Sequence, residues 1–127
     1  MNKQEAIVKL YEIQTQVEHY HRNTVNPWEH KTLGEYYESF ADLKDEFIES
    51  LSGKYQLINI PFSISLNQYV EGQPIVYLTN IQKLMTASNL NGFREDIFND
   101  TELCNIVDEM LSLANKTIYL LRQNKLA

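Results

Sequence analysis

Asn26-Pro27-Trp28-Glu29, followed by apolar residues at helical spacing as far as Gly53, is the feature that most narrows what this chain can form. The four residues supply an N-cap, a proline at the first helical position and a carboxylate at the third. His30, Leu33, Tyr37, Phe40, Lys44, Phe47/Ile48 and Leu51 then keep the helical period, and Gly53 is placed as the residue just beyond the end. About 26 residues at 1.5 Å each predict a rod of roughly 39 Å. The only tryptophan and all three histidines fall between Glu18 and Gly53.

A preceding helix is predicted from Lys3 to about Asn23, opened by Asn2 with Glu5 three residues on as a capping pair. Ile7, Leu10, Gln14, Val17 and His21 share one face, with Ile13 and Tyr20 on its flank. His19 is rotated from His21 by roughly 200°, so only one of the two points inward, and the stripe favours His21. The link to the next helix is so short that the pair must form an antiparallel hairpin.

The stretch from Lys54 to Gln73 behaves differently. Ile58, Ile60, Phe62, Ile64 and Leu66 alternate with polar residues and Pro61. A strand would explain the period of two, but Pro61 disfavours a central strand and no partner strand is evident. The preferred reading is an extended crossover over a bundle with every second side chain tucked in. A third helix is predicted from Pro74 to about Asn89, ended by Asn91-Gly92. A fourth, capped by Asn99 or Asp100, is predicted from Thr101 to about Gln123. The result is an all-α fold, one domain over residues 1–127. Its arrangement is the ferritin-like four-helix bundle with a long crossover between helices 2 and 3.

Composition mainly excludes. A formal net charge of −6 argues against a nucleic-acid partner, which needs a basic face. The single cysteine, Cys104, cannot form an internal disulfide and reads as a core thiol. No apolar stretch approaches the roughly 20 residues that span a bilayer, and the start lacks a signal peptide's apolar core. The expectation is a soluble, unprocessed protein with no membrane association. No Ser/His/Asp triad or phosphate-binding glycine loop is present. Trp28 reads as a packing staple at the helix turn, and the eight tyrosines suit interfaces where rings bury and hydroxyls stay wet.

His30, Asp45 and Glu49 are spaced by fifteen and then four residues, with Gly53 four later and the histidine-rich HYHRNT before them. This resembles the Dps branch of the ferritin-like superfamily, and more closely the small ferritin-like proteins of tailed phages. The matching positions are His21, Asn23-Thr24, Glu29-His30-Lys31, Leu33, Tyr37-Glu38, Asp45, Glu49 and Gly53-Lys54-Tyr55, together with the fourth helix from Asn105 to Leu121. The resemblance implies a homo-oligomer holding iron, or another divalent metal, at an intersubunit site. Its ligands would be His21 (or His19), His30, Asp45 and Glu49, histidines from one subunit and acids from its mate. Imidazole with carboxylate suits Fe(II), Mn(II) or Zn(II). Around the helix, Asp45 and Glu49 border the core stripe without filling it, which suits ligands serving a neighbour and suits solvated acids equally.

Departures limit the carry-over. Arg22 follows His21 where the Dps pattern has an aromatic, only one Glu-x-x-His (Glu18 to His21) is present, and there is no basic tail. Two function classes follow. One is a Dps-like metal binder, with ferroxidase-like activity as its enzymatic form. The other is a non-catalytic phage structural or accessory protein that keeps the bundle and meets a phage or host protein. The corresponding locations are the bacterial cytoplasm or the virion.

Overall fold

A computed structural model of the chain describes residues 1–123. It contains four helices: α1 (Lys3–Asn23), α2 (Pro27–Tyr55), α3 (Gln73–Met85) and α4 (Thr101–Arg122), with no strand among the described residues. α1 packs on α2, α2 on α4, and α4 on α3, which fixes their order around the bundle.

Local chemistry accounts for the helix starts. Asn2 accepts the Glu5 N–H at 2.8 Å while the Glu5 carboxylate accepts the Asn2 N–H at 3.0 Å, closing a capping box. At α2, Asn26 Oδ1 accepts the Glu29 N–H at 3.0 Å and Pro27 fills the first turn. The apolar stripes meet in one core that includes Leu10, Val17, Leu33, Phe40, Leu78, Val107 and Met110. Three tyrosines join it. Tyr20, Tyr36 and Tyr77 are buried, and no protein group among the described residues hydrogen-bonds the Tyr36 and Tyr77 hydroxyls. Burial pushes the Tyr36 and Tyr77 phenols well above their ordinary value. These rings therefore serve the interior, against the expectation of wet interface hydroxyls.

Both revised helix ends are set by tertiary contacts. α2 runs through Gly53 to Tyr55, and Gln56, not the glycine, takes the left-handed conformation at φ 56°. The extension brings Lys54 and Tyr55 onto Asp100, at 2.6 Å each. α3 stops at Met85, short of Asn89. The Leu84 carbonyl is taken by the Phe93 N–H at 3.0 Å and the Met85 carbonyl by Arg94 Nε at 3.0 Å. This return is so close that a Cβ on Gly92 would lie 2.2 Å from the Leu84 carbonyl oxygen.

Between α2 and α3 the chain is extended and irregular, as the crossover reading required, but its alternation is not a buried stripe. Ile58, Phe62 and Leu66 are exposed, whereas Leu57, Ile60 and Tyr69 rest on the core. Asn59, at φ 52°, breaks the two-residue rhythm. What ties the segment down is polar: Gln16, buried on α1, donates to the Asn67 carbonyl at 2.9 Å and accepts the Asn67 N–H at 2.7 Å.

Candidate functional site: the histidine clasp at the α1–α2 turn

Only Thr24, Val25 and Asn26 separate α1 from α2, so the end of one helix must lie beside the start of the next. The turn is self-bonded. Thr24 N–H donates to the Tyr20 carbonyl at 3.0 Å, and Thr24 Oγ1 accepts the Asn26 N–H at 3.2 Å. His21 in the last turn of α1 and His30 in the first turn of α2 close it reciprocally. His21 Nδ1 lies 2.6 Å from the His30 carbonyl, and His30 Nδ1 lies 2.7 Å from the His21 carbonyl.

A carbonyl only accepts, so each ring carries a proton on Nδ1, and a neutral ring would then keep its lone pair on Nε2. The rings stack with centroids 3.9 Å apart and 18° between planes, and Tyr37 borders His21 at 5.5 Å. One of the two bonds also satisfies an orphan carbonyl near the C-terminus of α1. Gly34 makes the approach possible, since a Cβ there would lie 2.8 Å from His21 Cε1.

A second network adjoins the clasp. The Thr24 hydroxyl donates to the Tyr69 hydroxyl at 3.3 Å, and Tyr69 donates to Glu29 Oε1 at 2.6 Å. Burial first, and the Glu29 carboxylate second, raise the Tyr69 phenol pKa. Trp28 acts beyond the turn: its Nε1–H donates to the Leu120 carbonyl at 2.6 Å and ties α2 to the end of α4.

Of the four expected ligands, the structure brings two together. His21 is half-buried against α2, as expected, whereas His30 is exposed and not on the core stripe. His19 is half-buried beside Asn23, with Nδ1 3.4 Å from the Asn23 amide nitrogen, and takes no part in the clasp. Asp45 and Glu49 are exposed, fifteen and nineteen residues beyond His30 on the same rod. That separation is roughly 22 and 28 Å along the axis. Among the described residues, no three of the His, Cys, Asp and Glu side chains of the chain are placed to share a metal ion. Lys44, which the sequence left without a role, lays its ammonium 4.6 Å over the Tyr11 ring and 4.0 Å from Asp45 Oδ1.

Several residues that shape this end of the molecule were not legible as such. Gly34 carried the one available signal, a lone glycine inside an otherwise regular helical pattern. Glu29 was visible as a cap-position carboxylate and as part of the Glu29-His30-Lys31 match, with no sign of its tie to Tyr69, and nothing local marked Tyr69 or Gln16. Cys104, read as a core thiol, is half-buried and its thiol donates to the Ile97 carbonyl at 3.3 Å.

Fold and site thus define an all-α four-helix protein whose helical hairpin is locked by a pair of stacked imidazoles. Residues 21–121, about four fifths of the chain, match a family of unknown function, DUF5856, and the protein belongs to that family. No curated protein and no solved structure matches the chain. Among the described residues no helix is long and apolar enough to cross a membrane.

Proposed function

We propose that this protein is a Dps-like, ferritin-fold homo-oligomer that binds iron or a similar divalent cation between two subunits. The clasp carries the reading. Metal-binding histidines commonly donate the second ring N–H to a carbonyl or carboxylate, which fixes tautomer and orientation. His21 and His30 are held in this way, each with Nε2 as the free donor atom.

The acids cannot reach these nitrogens within one chain, so a complete donor set needs a second copy. A two-fold axis crossing α2 near Glu38, midway between His30 and the Asp45–Glu49 pair, sets the imidazoles of one copy against the carboxylates of the other. The outward face of α2 there is free of large apolar residues: Glu35, Glu38, Ser39, Asp42 and Asp45 are all exposed. Bound there, the ion would meet two imidazoles and two carboxylates, a set that fits Fe(II), Mn(II) or Zn(II) and supplies Lewis-acid or redox chemistry.

Titration of the purified protein with Fe(II) under anaerobic conditions, alongside sedimentation mass, tests this. Saturable binding by a dimer or larger species is expected, with loss of at least tenfold in affinity for His30→Ala. A strict monomer, or wild type without saturable binding at micromolar iron, contradicts it. A second reading, a non-catalytic interaction protein whose imidazole pair only locks the turn, draws on the exposed Ile58, Phe62 and Val70 of the crossover. Under that reading His30→Ala lowers stability and changes no metal content.

A further inference from the structure

We propose that the cleft between the α1–α2 turn and the start of α3 is a binding site for an organic cation, an alkylammonium or guanidinium group, seated on Glu29. The cleft encloses about 470 Å³, and Asn26, Glu29, Tyr69, Glu71, Ile75 and Leu121 contribute to its walls. It is separate from the imidazole pair and independent of the metal reading.

The observation that carries this is the state of Glu29. The residue is only 8% exposed, yet it sits in the wall of an open cleft. One carboxylate oxygen takes the Tyr69 hydroxyl at 2.6 Å. No hydrogen bond from the described residues reaches the other, and no Lys, Arg or His among them pairs with this carboxylate. A largely buried carboxylate whose one protein donor is neutral leaves its second oxygen to solvent or to a ligand. Its position in the first turn of α2 gives partial relief from the helix dipole. The second oxygen is not sealed inside the protein, and Glu29 lines the cleft, where Glu71 adds a second negative charge from an exposed position.

The chemistry of the walls selects the kind of cation. A bare divalent ion needs several oxygen or nitrogen ligands, and among the described residues no group of three acidic, histidine or cysteine side chains stands here. Asn26 Oδ1 is already spent on the Glu29 N–H. Ile75, Leu121, Val25 and Pro27 instead offer apolar surface beside the carboxylates. A group with N–H donors at one end and a hydrocarbon stem matches that combination, as lysine-like and arginine-like stems do when they lie along apolar surface.

The test is a titration of the intact protein with n-butylammonium chloride and with N-methylguanidinium chloride, followed by amide NMR shifts at constant ionic strength. Saturable shifts confined to residues 24–30, 69–75 and the surroundings of Leu121 are expected, with binding at least tenfold weaker in Glu29→Gln and weakened less in Glu71→Gln. Glu46→Gln, an exposed acid elsewhere on α2, leaves binding unchanged. Circular dichroism confirms that Glu29→Gln is folded, and if it is not, the Glu71→Gln comparison decides. Linear, unsaturable shifts with both amines overturn the proposal. So does undiminished binding in the folded Glu29→Gln protein, or saturation by calcium with none by either amine.

Discussion

Gly34 stands in the middle of α2, where a glycine costs about 1 kcal/mol relative to alanine. What it gains is the space in which the His21 ring reaches the His30 carbonyl. Gly34→Ala should therefore lower stability despite the better helix propensity, by about 1–3 kcal/mol, because the added methyl displaces the ring and breaks the reciprocal pair. In a His21→Ala background the obstacle is gone and the same substitution should stabilise by about 0.5–1 kcal/mol. Urea midpoints of the four proteins in this cycle check the sign change, and a stabilising Gly34→Ala in the wild-type background contradicts the clasp. The sequence placed His21 on the inward side of its helix because a helical stripe reports direction. It could not show that His21 and His30 stack, since their meeting depends on the path of Thr24–Asn26 and on a glycine whose purpose lies on another helix.

At the scale of elements, α2 and α4 are joined by a charged clamp. Lys54 bonds Asp100 at 2.6 Å and Glu102 at 2.7 Å, and the Tyr55 hydroxyl donates to Asp100 at 2.6 Å. The hydrogen bond from Lys54, then that from Tyr55, holds the Asp100 carboxyl below its ordinary 3.8. A carboxyl with a depressed folded pKa stabilises the native state above the unfolded value and loses that contribution as pH falls through the folded one. Lys54 is shifted upward, mainly by its bonds to Asp100 and Glu102, so its share is complete below 10.5 and fades as pH rises through the folded value. Asp100→Asn should thus flatten the acid limb of a stability–pH curve below about pH 4, while leaving the dependence between pH 6 and 8 nearly unchanged. Thermal midpoints across that range measure it, and an acid limb identical to wild type would remove Asp100 from the clamp.

The clamp also explains where reading by period stopped. Helix existence and type were legible in all four cases, because long apolar stripes at spacings of three and four have no other comfortable home. Helix ends were not. Gly53 is an ordinary signal for a stop, but ending there would leave Lys54 and Tyr55 short of Asp100. Asn91-Gly92 is an ordinary signal too, but Phe93 and Arg94 take the Leu84 and Met85 carbonyls and end α3 before it. Arg94, buried and reaching Asp108 at 2.5 Å and the Cys104 carbonyl at 3.4 Å, had no local pattern to announce it.

For the whole molecule, the proposed site has to join imidazoles at one end of a rod to carboxylates fifteen and nineteen residues on. Within one chain the two sets stay apart, and the family match covers both without assigning either. The proposed answer is an antiparallel second copy, and it makes a demand no single-chain site makes. His30→Ala lacks part of the imidazole half and Asp45→Ala part of the acid half, so each alone should bind Fe(II) weakly. Unfolded and refolded together, they should form mixed dimers in which one of the two sites has both halves intact. Random pairing of equal amounts then restores about a quarter of the wild-type sites. Isothermal titration of the refolded mixture reads that fraction. Recovery near a quarter of wild-type stoichiometry is the predicted result, and a mixture that binds no better than its two parent variants contradicts the shared site.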